Sequence, residues 1–333
     1  MTVTRSNMVW LMVMGALLIV AAIARLSVGS GAMGLPHGDY ASVIWEARSH
    51  RLCIGITVGV ALAVSGVALQ ALLRNPLAEP FILGLSTGAG AGIMLQAYVA
   101  HVLAWQFMGG QTAGALVGAG LSMSIVFAVG RRHGLIDPVG LLLTGVVLST
   151  LNAALIMLLN YMIGPGGVRD DMAQWMMGYL HESTAASTVG FIATLTVLGT
   201  ALLFSLARAM DVATLSPGEA ESVGVNLTLL RTVLFITAGT LAAGAVVLAG
   251  PIAFVGLICP HVARLMLGPG HRALLIGAAL LGAALIVAAD TVSSWIAFQL
   301  AGFGLLPIGI LTAMLGGPVF LAMLHPKLGR GYE

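Results

Sequence analysis

Long apolar runs, separated by short polar or glycine–proline breaks, fill almost the whole chain. A helix needs about 20 apolar residues to cross the hydrocarbon core of a membrane. The runs do not alternate with a period of two, as the strands of a membrane barrel do, so they predict helices. The pattern predicts an all-α membrane protein, a single domain over residues 1–333, with about ten transmembrane helices at residues 8–28, 52–73, 81–100, 112–130, 139–162, 185–207, 232–249, 251–266, 273–290 and 305–324.

The first and eighth runs each allow a second interpretation. The first could be a cleaved signal peptide, but its apolar run is long and Ala24-Arg25-Leu26 is a poor cleavage site, which favours a retained helix. The eighth run is short and follows the Gly250-Pro251 break. Its Pro260 is expected to kink or end the helix there, because proline removes a helical hydrogen bond.

The basic residues indicate how the spans are oriented. With the N-terminus in the cytoplasm, ten of the 14 lysines and arginines fall on the inner side and four on the outer side. This excess follows the positive-inside rule and places both termini in the cytoplasm. Removing the eighth span would invert every later loop and weaken the bias. The inner set is Arg5, Arg74, Arg131, Arg132, Arg208, Arg231, Arg264, Arg272, Lys327 and Arg330, and the outer set is Arg25, Arg48, Arg51 and Arg169.

Composition supports a membrane protein and excludes other classes. The chain is 59% hydrophobic and 8% charged, whereas a soluble domain carries about 25% charged residues. Its net charge of +2 is too small and too dispersed for a nucleic-acid-binding protein. The single lysine, Lys327, has no glycine-rich loop before it, so any ATP and Mg would bind to a partner subunit. The histidines and cysteines lack metal-ligand spacing, so we predict no metal site and no other cofactor in this chain.

Charged residues are nearly missing from the centres of the predicted spans. A charge at mid-bilayer costs about 2.5–3.5 kcal/mol on insertion scales, so it persists there mainly for function. Asp290 and Arg264 are expected near span ends, within reach of water. This pattern argues against an ion-coupled secondary carrier, which usually keeps an ionisable group at mid-depth. Such a carrier stays one alternative, and a membrane scaffold that does not transport is another.

A polar break at residues 211–231 joins the sixth and seventh spans. Ser216 is a good N-cap and Pro217 suits the first helical position. Glu219 can complete a capping box, and Gly224 is placed to end the helix in the left-handed conformation. Because a helix of about two turns is marginal alone, the caps favour a rigid element. It is either a solvated connector or a knob that docks into a partner.

A turn rich in proline is followed by regularly spaced glycines. The run Arg74-Asn75-Pro76-Leu77-Ala78-Glu79-Pro80 contains two prolines, which force a non-helical turn at the inner face of the membrane. Gly84, Gly88 and Gly92 then recur every four residues, so they line one face of the next helix. Another helix can pack directly against the backbone of that face.

Two arginines lie in a predicted outer loop over residues 45–51, at the start of a helix. Arg48 and Arg51 are three residues apart and share one side of that helix. They face outward, against the charge rule. They either anchor the chain at lipid headgroups beside Trp45 or form a receptor for acidic side chains, which guanidinium groups bind in pairs of hydrogen bonds.

Short motifs follow one another in a specific order over roughly residues 45–325. The early ones are Ser65-Gly66, Leu69-Gln70, Arg74-Asn75-Pro76-Leu77-Ala78-Glu79-Pro80 and Leu83-Gly84. The later ones are Leu141-Leu142-Leu143-Thr144-Gly145, Trp175-Met176-Met177-Gly178, Gly218-Glu219-Ala220, Gly224-Val225-Asn226, Gly250-Pro251-Ile252-Ala253-Phe254-Val255-Gly256-Leu257, Pro260-His261-Val262-Ala263-Arg264, Ala289-Asp290-Thr291 and Pro307-Ile308-Gly309. In combination they resemble the permease family of iron-siderophore, haem and vitamin B12 ABC importers.

This resemblance implies a ten-helix permease subunit of the bacterial cytoplasmic (inner) membrane, which is a transport subunit and not an enzyme. It implies a homodimer, or a pair with a paralogous permease, in contact with membrane lipid and not with nucleic acid. Two cytoplasmic ABC ATPase subunits and a periplasmic or extracytoplasmic substrate-binding protein would complete the importer. The implied cargo is an iron chelate (haem or a siderophore), with vitamin B12 (cobalamin) as the alternative.

The resemblance also implies roles for particular residues. A coupling helix at about residues 215–225 would contact the ATPase through Ser216, Pro217, Gly218, Glu219, Ala220 and Gly224. The binding protein would dock on Arg48 and Arg51. Helix packing and the inner turn involve Asn75, Pro76, Pro80, Gly84, Gly88 and Gly92, and the inner gate candidates are Asp137, Pro138 and Val139. Ser294 and Leu306 stand where family members often carry an arginine and a glutamate, so one outer contact is expected to be altered.

Overall fold

The computed structural model describes residues 5–29, 33–103, 110–132, 135–163, 175–300 and 304–328. Predicted features at Arg169 and Arg330 lie outside these residues. The described part contains eleven α-helices: α1 (Arg5–Ser27), α2 (Ala41–Leu73), α3 (Leu85–Leu103), α4 (Gly110–Val129), α5 (Pro138–Ile163), α6 (Ala186–Val212), α7 (Pro217–Ser222), α8 (Leu227–Ala249), α9 (Val255–Leu267), α10 (His271–Gln299) and α11 (Ile308–Leu328). A 3₁₀ helix spans Pro80–Leu83, and the short strands β1 (Arg131–Arg132) and β2 (Leu135–Ile136) pair antiparallel.

Every predicted span coincides with a helix. Seven of these helices, α1, α2, α4, α5, α6, α8 and α10, are long and apolar enough to cross a membrane. The α9 helix is shorter, with 13 residues, or about 20 Å against a hydrocarbon core of about 30 Å. The structure therefore supports an all-helical membrane protein, while the count of ten spans and the orientation of the termini stay predictions.

The α2 helix is the central element of the bundle. It has 33 residues, and most of its apolar window is buried against α8, α9 and α10. Two of its glycines allow this contact: a Cβ on Gly59 would lie 2.2 Å from the carbonyl oxygen of Gly282, and one on Gly66 would lie 1.9 Å from that of Gly256. Helix backbones can approach so closely only where the side chain is a hydrogen atom.

The α9 helix continues through Pro260, so of the two predicted outcomes, a kink or an end at this proline, the end is excluded. Proline cannot donate to the carbonyl four residues earlier, which belongs to Gly256. Gln70 Nε2 of α2 donates to that carbonyl at 3.4 Å, and Gln70 Oε1 accepts from Arg264 Nη2 at 3.2 Å. The Gln70 side chain of the neighbouring helix thus donates to the carbonyl that lacks its helical hydrogen bond because of the proline.

The two ends of the bundle differ in what they carry. One end holds the C-terminal end of α2, the α7 helix and the N-terminal end of α1, where Asn7 Nδ2 donates to the Leu267 carbonyl at 3.2 Å. We call this end the α7 face, and we call the other end, where α2 begins at Ala41, the distal face. Between them, α1, α5 and α6 expose mostly apolar side chains, as lipid-facing helices do.

Candidate coupling helix and its connections

The α7 helix has a complete capping box at its start. Ser216 is its N-cap, and the Ser216 hydroxyl accepts a hydrogen bond from the Glu219 amide at 3.4 Å. In return, Glu219 Oε2 accepts from the Ser216 amide at 3.0 Å and from the Ser216 hydroxyl at 2.6 Å. These hydrogen bonds hold the pKa of the Glu219 carboxyl below its usual value, so the box is formed with a charged carboxylate.

The end of α7 is fixed as firmly as its start. Gly224 has a φ of 88°, the left-handed conformation that glycine adopts without penalty. Its amide donates to the Glu221 carbonyl at 2.9 Å, and the Val225 amide donates to the Ala220 carbonyl at 3.1 Å. This pair of bonds is a Schellman motif. The helix has six residues, slightly shorter than the two turns that the sequence predicts, and both predicted caps are present.

The α7 helix is attached to the bundle through Ala220 and presents polar residues outward. Ala220 is fully buried, whereas Gly218, Glu219 and Glu221 are exposed. Apolar side chains flank this polar helix, with Leu215 46% and Val223 67% exposed. A rigid polar projection with apolar edges is a surface suited to a protein partner.

Two contacts hold the connector that leads into α7. Arg74, at the end of α2, donates from Nη2 to the carbonyls of Ala213 at 2.7 Å and Leu215 at 2.9 Å. Asp211 Oδ1 lies 2.6 Å from His271 Nδ1 and accepts from the His271 amide at 2.9 Å, which joins the end of α6 to the start of α10. The position of α7 is therefore tied to α2 and α10.

The turn after α2 runs back into the bundle. It covers residues 74–84, and we call it the re-entrant turn. Pro80 lies beside Gly256, which itself packs on Gly66, about 10 Å inward from the end of α2. Inside the turn, Asn75 Oδ1 accepts from the Leu77 amide at 3.0 Å, and Pro76 follows Asn75 directly.

Glu79 joins the re-entrant turn to α9. Its Oε1 accepts a hydrogen bond from the amide of Phe254, the N-cap residue of α9. Burial raises the pKa of the Glu79 carboxyl to about 7, and the hydrogen bond from Phe254 opposes that rise. Sequence reasoning placed Glu79 and Arg74 in a motif but missed their partners, because these lie far away in the chain.

Two of the three spaced glycines make the predicted helix contact. A Cβ on Gly92 would lie 2.0 Å from the carbonyl oxygen of Gly114, and one on Gly88 would lie 2.8 Å from that of Gly118. These contacts press α3 against α4. Gly84 differs, because it precedes α3 with a φ of 72° and faces the backbone of Gly145 in α5.

The segment that carries Arg48 and Arg51 is helical, so its prediction as a loop is wrong. The α2 helix begins at Ala41, and Arg48 and Arg51 are 5% and 1% exposed. Arg48 Nη1 donates to the carbonyls of Leu26 and Gly34, each at 2.7 Å. Burial of both guanidinium groups does not fit the expectation that they reach out to a partner.

Arg51 belongs to an ion cluster at the distal face, which we define as the buried residues Arg25, Arg51 and Asp290 together with the half-exposed Glu182. Arg51 donates from Nε and Nη2 to Asp290 Oδ1 at 2.9 and 2.8 Å, and from Nη1 to Glu182 Oε1 at 3.0 Å. Arg25 Nε donates to Asp290 Oδ2. Asp290 is 1% exposed, so the expectation that it reaches water is wrong: the two arginines neutralise it instead.

The sequence contained one signal of this cluster. Asp290 lies in the apolar run of α10, and Arg25 and Arg51 fall on the predicted outer side, against the charge rule. Two arginines on the outer side and one carboxylate within an apolar run together indicate buried ion pairing. Nearby, Ser294 is buried and Ser293 Oγ donates to the Leu306 carbonyl at 2.5 Å, so this altered segment packs within the chain.

The gate candidates form the start of α5. Asp137 Oδ1 accepts from the Val139 amide at 3.2 Å, and the Asp137 carbonyl accepts the first helical bond, from the Leu141 amide at 2.9 Å. Pro138 is the first residue of the helix and Val139 is 64% exposed. Asp137 is thus the N-cap of α5. It directly follows β2, which pairs with β1, the strand just after the end of α4.

Comparison with known proteins places this architecture in a family. The sequence pattern of the FecCD transport family matches residues 8–325. The cobalamin import system permease protein BtuC of Halobacterium salinarum is 36% identical over 285 residues, which cover 86% of this chain and 74% of that protein. The vitamin B12 import system permease protein BtuC of Escherichia coli is 35% identical over 331 residues, which cover 98% and 97% of the two chains.

A solved structure agrees with these relatives. A metal-chelate-type ABC transporter in an inward-facing conformation superposes with a TM-score of 0.81 and 28% identity, over 96% of this chain and 99% of that one. Family pattern, relatives and fold therefore agree with the order of motifs along the chain. The chain belongs to the FecCD transport family and is a membrane permease subunit of an ABC importer.

Proposed function

We propose that this permease imports a metal chelate across the cytoplasmic membrane and that α7 is the helix through which a separate ATPase drives it. The observation that carries the proposal is the six-residue α7 helix, which is capped at both ends, buries Ala220 and exposes Glu219 and Glu221. So short a helix is unstable alone, and capping at both ends gives it a fixed shape. A fixed shape is what a partner needs in order to push on the bundle.

The proposed assembly follows from this role. The α7 face is the cytoplasmic side, and two ATPase subunits supply ATP and Mg to a pair of permeases, either two copies of this chain or this chain and a paralogue. A binding protein delivers the chelate at the distal face. Asp137, Pro138 and Val139 contribute to the inner closure, which is supported by the exposure of Val139 and by the capped start of α5.

Cobalamin is the first candidate cargo, because two relatives that match most of the chain are named as cobalamin or vitamin B12 permeases. An iron chelate is the second candidate, supported by the solved metal-chelate-type transporter of the same fold. Both are bulky metal chelates. Arg25 and Arg51 of the distal face are paired with Asp290, so these two cations do not offer the chelate an unpaired charge.

The coupling role predicts the behaviour of Glu219→Pro. Proline at residue 219 has no amide hydrogen to donate to the Ser216 hydroxyl, and it has no carboxylate to accept from the Ser216 amide. We expect the variant to reach the membrane in normal amount and to lose ATP-dependent uptake. Glu221→Ala is the matched control, since this exposed carboxylate takes no part in the box. Normal uptake by Glu219→Pro would remove the coupling role from α7.

The cargo is tested with two probes in proteoliposomes that hold the permease, its ATPase and its binding protein. We expect ATP-dependent accumulation of radiolabelled cyanocobalamin, and accumulation of ferric siderophore alone would favour the second candidate. Uptake by the permease under an ion gradient, with no ATPase present, would contradict the proposal and favour a secondary carrier.

A further inference from the structure

Arg74 and Phe254 have left-handed backbone although neither is glycine. Their φ angles are 48° and 70°, and no other non-glycine residue in the described ranges has a positive φ. This conformation costs energy for a side chain with a Cβ, so it persists where the surroundings enforce it, often at sites that move or bind. The two residues stand at the two ends of one chain of contacts.

The first end of this chain holds the coupling helix. Arg74 ends α2 in the left-handed conformation, and this turn directs the chain away from the helix axis. Its guanidinium donates to the carbonyls of Ala213 and Leu215 at 2.7 and 2.9 Å. Leu215 directly precedes Ser216, the N-cap of α7, so a shift of α7 pulls on the side chain of Arg74.

The second end reaches α9 and α11. Glu79 accepts from the amide of Phe254, which starts α9. The ring of Phe254 lies against Gly316 of α11, where an added Cβ would be 2.3 Å from Cγ of the ring. Four residues separate Arg74 from Glu79, and Pro76 is one of them. Because proline fixes its own φ and restricts the residue before it, Pro76 limits the ways in which this segment can bend.

The chain of contacts ends at the wall of a cavity. This cavity has a volume of about 290 Å³ and lies between the re-entrant turn, α3, α5, the segment before α9 and the start of α11. Phe81, Pro251, Ala253 and Gly309 line it, together with Met177. Both the segment that carries Glu79 and the segment that carries Phe254 therefore contribute to the same cavity.

We propose that Arg74 and Glu79 are positioning residues that transmit movement of α7 to the wall of this cavity. The proposal rests on the proposed role of α7 as the coupling helix and names the path by which that role acts inside the permease. Arg74 binds the connector that leads into α7, and the re-entrant turn moves with Arg74. Glu79 passes this movement to Phe254, the residue before α9.

The test reads the cavity directly and needs no knowledge of the cargo. A permease with Met177→Cys, in which Cys53 and Cys259 are replaced by serine and alanine, is purified with its ATPase and reconstituted. The rate at which a maleimide labels residue 177 is measured without nucleotide and in ATP with vanadate. We expect the rate to change at least fivefold between the two states in the parent protein.

Variants at both ends decide whether the path is correct. Arg74→Asn tolerates left-handed backbone but loses the long donor, and Glu79→Ala loses the acceptor without touching α7. We expect both to reduce the nucleotide-dependent change to less than twofold. Arg74→Lys and Glu79→Gln keep a donor and an acceptor and should retain most of the change. Arg208→Asn, an exposed arginine on α6, is the control and should behave as the parent.

The outcomes separate this proposal from the proposed function. If the ATPase does not bind the parent permease or hydrolyses no ATP with it, the coupling role of α7 fails, and this path fails with it. If the parent hydrolyses ATP but residue 177 does not respond, or if Arg74→Asn and Glu79→Ala respond as the parent does, the path alone is overturned and α7 acts by another route.

Discussion

Replacing Asp290 with alanine should destabilise the permease far more than replacing Glu182, although both carboxylates bind Arg51. Asp290 is 1% exposed and accepts from Arg51 at 2.8–3.0 Å and from Arg25, and these two arginines are themselves 1% and 3% exposed. Alanine at residue 290 leaves two buried cations without that partner. Removing one member of a buried pair costs about 3–5 kcal/mol.

Glu182 provides the matched control, because it touches the same guanidinium from the outside. Its side chain is 53% exposed, and an ion pair open to water contributes about 0–1 kcal/mol. The free energy of unfolding of each variant is measured by SDS titration in mixed micelles. A triple variant with Arg25→Met, Arg51→Met and Asp290→Leu should recover most of the loss, since apolar side chains of similar volume replace buried pairs at little cost.

Two results would refute this reasoning. If Asp290→Ala and Glu182→Ala differ by less than about 1 kcal/mol, the cluster is hydrated and its burial does not determine its energy. If the triple variant is less stable than Asp290→Ala, the buried charges themselves stabilise the distal face. The loss in Asp290→Ala would then not come from cations left without a partner. The same burial means that a charge reversal at Arg51 tests the stability of the permease as well as binding-protein docking.

Further substitutions test the helix cap, the glycine contact and a buried hydroxyl. Ser216→Ala removes the N-cap acceptor, which should cost α7 about 1 kcal/mol; we expect lower ATP-dependent uptake with an unchanged midpoint in the SDS titration. Gly92→Leu should lower the free energy of unfolding by about 1–3 kcal/mol or more, because its Cβ would lie 2.0 Å from a backbone oxygen of α4, while Gly120→Leu, with nothing within 4 Å, should be nearly neutral. Ser65→Ala breaks a buried 2.7 Å hydrogen bond to the Ala238 carbonyl and should cost about 0.6–1.7 kcal/mol in the same titration.

The sequence alone determined the class of the protein, the places of the helices and the shape of α7. Apolar runs predict helices because a backbone in lipid must form its hydrogen bonds within its own segment. The caps of α7 are also local, since Ser216, Glu219 and Gly224 bond within nine residues of one another. Signals of this kind need no knowledge of the remaining chain, and so the predicted helices and caps agree with the structure.

Only the tertiary structure decided which charged and polar groups meet. Arg51 and Asp290 are 239 residues apart, Glu79 and Phe254 are 175 apart, and Arg74 and Ala213 are 139 apart. Hydropathy treats each of these charges as a single residue near a span end and therefore assigns it to water. In the folded bundle, a charge near a span end can instead be neutralised by a distant helix, and which helix arrives there depends on the packing of α2 against α8, α9 and α10.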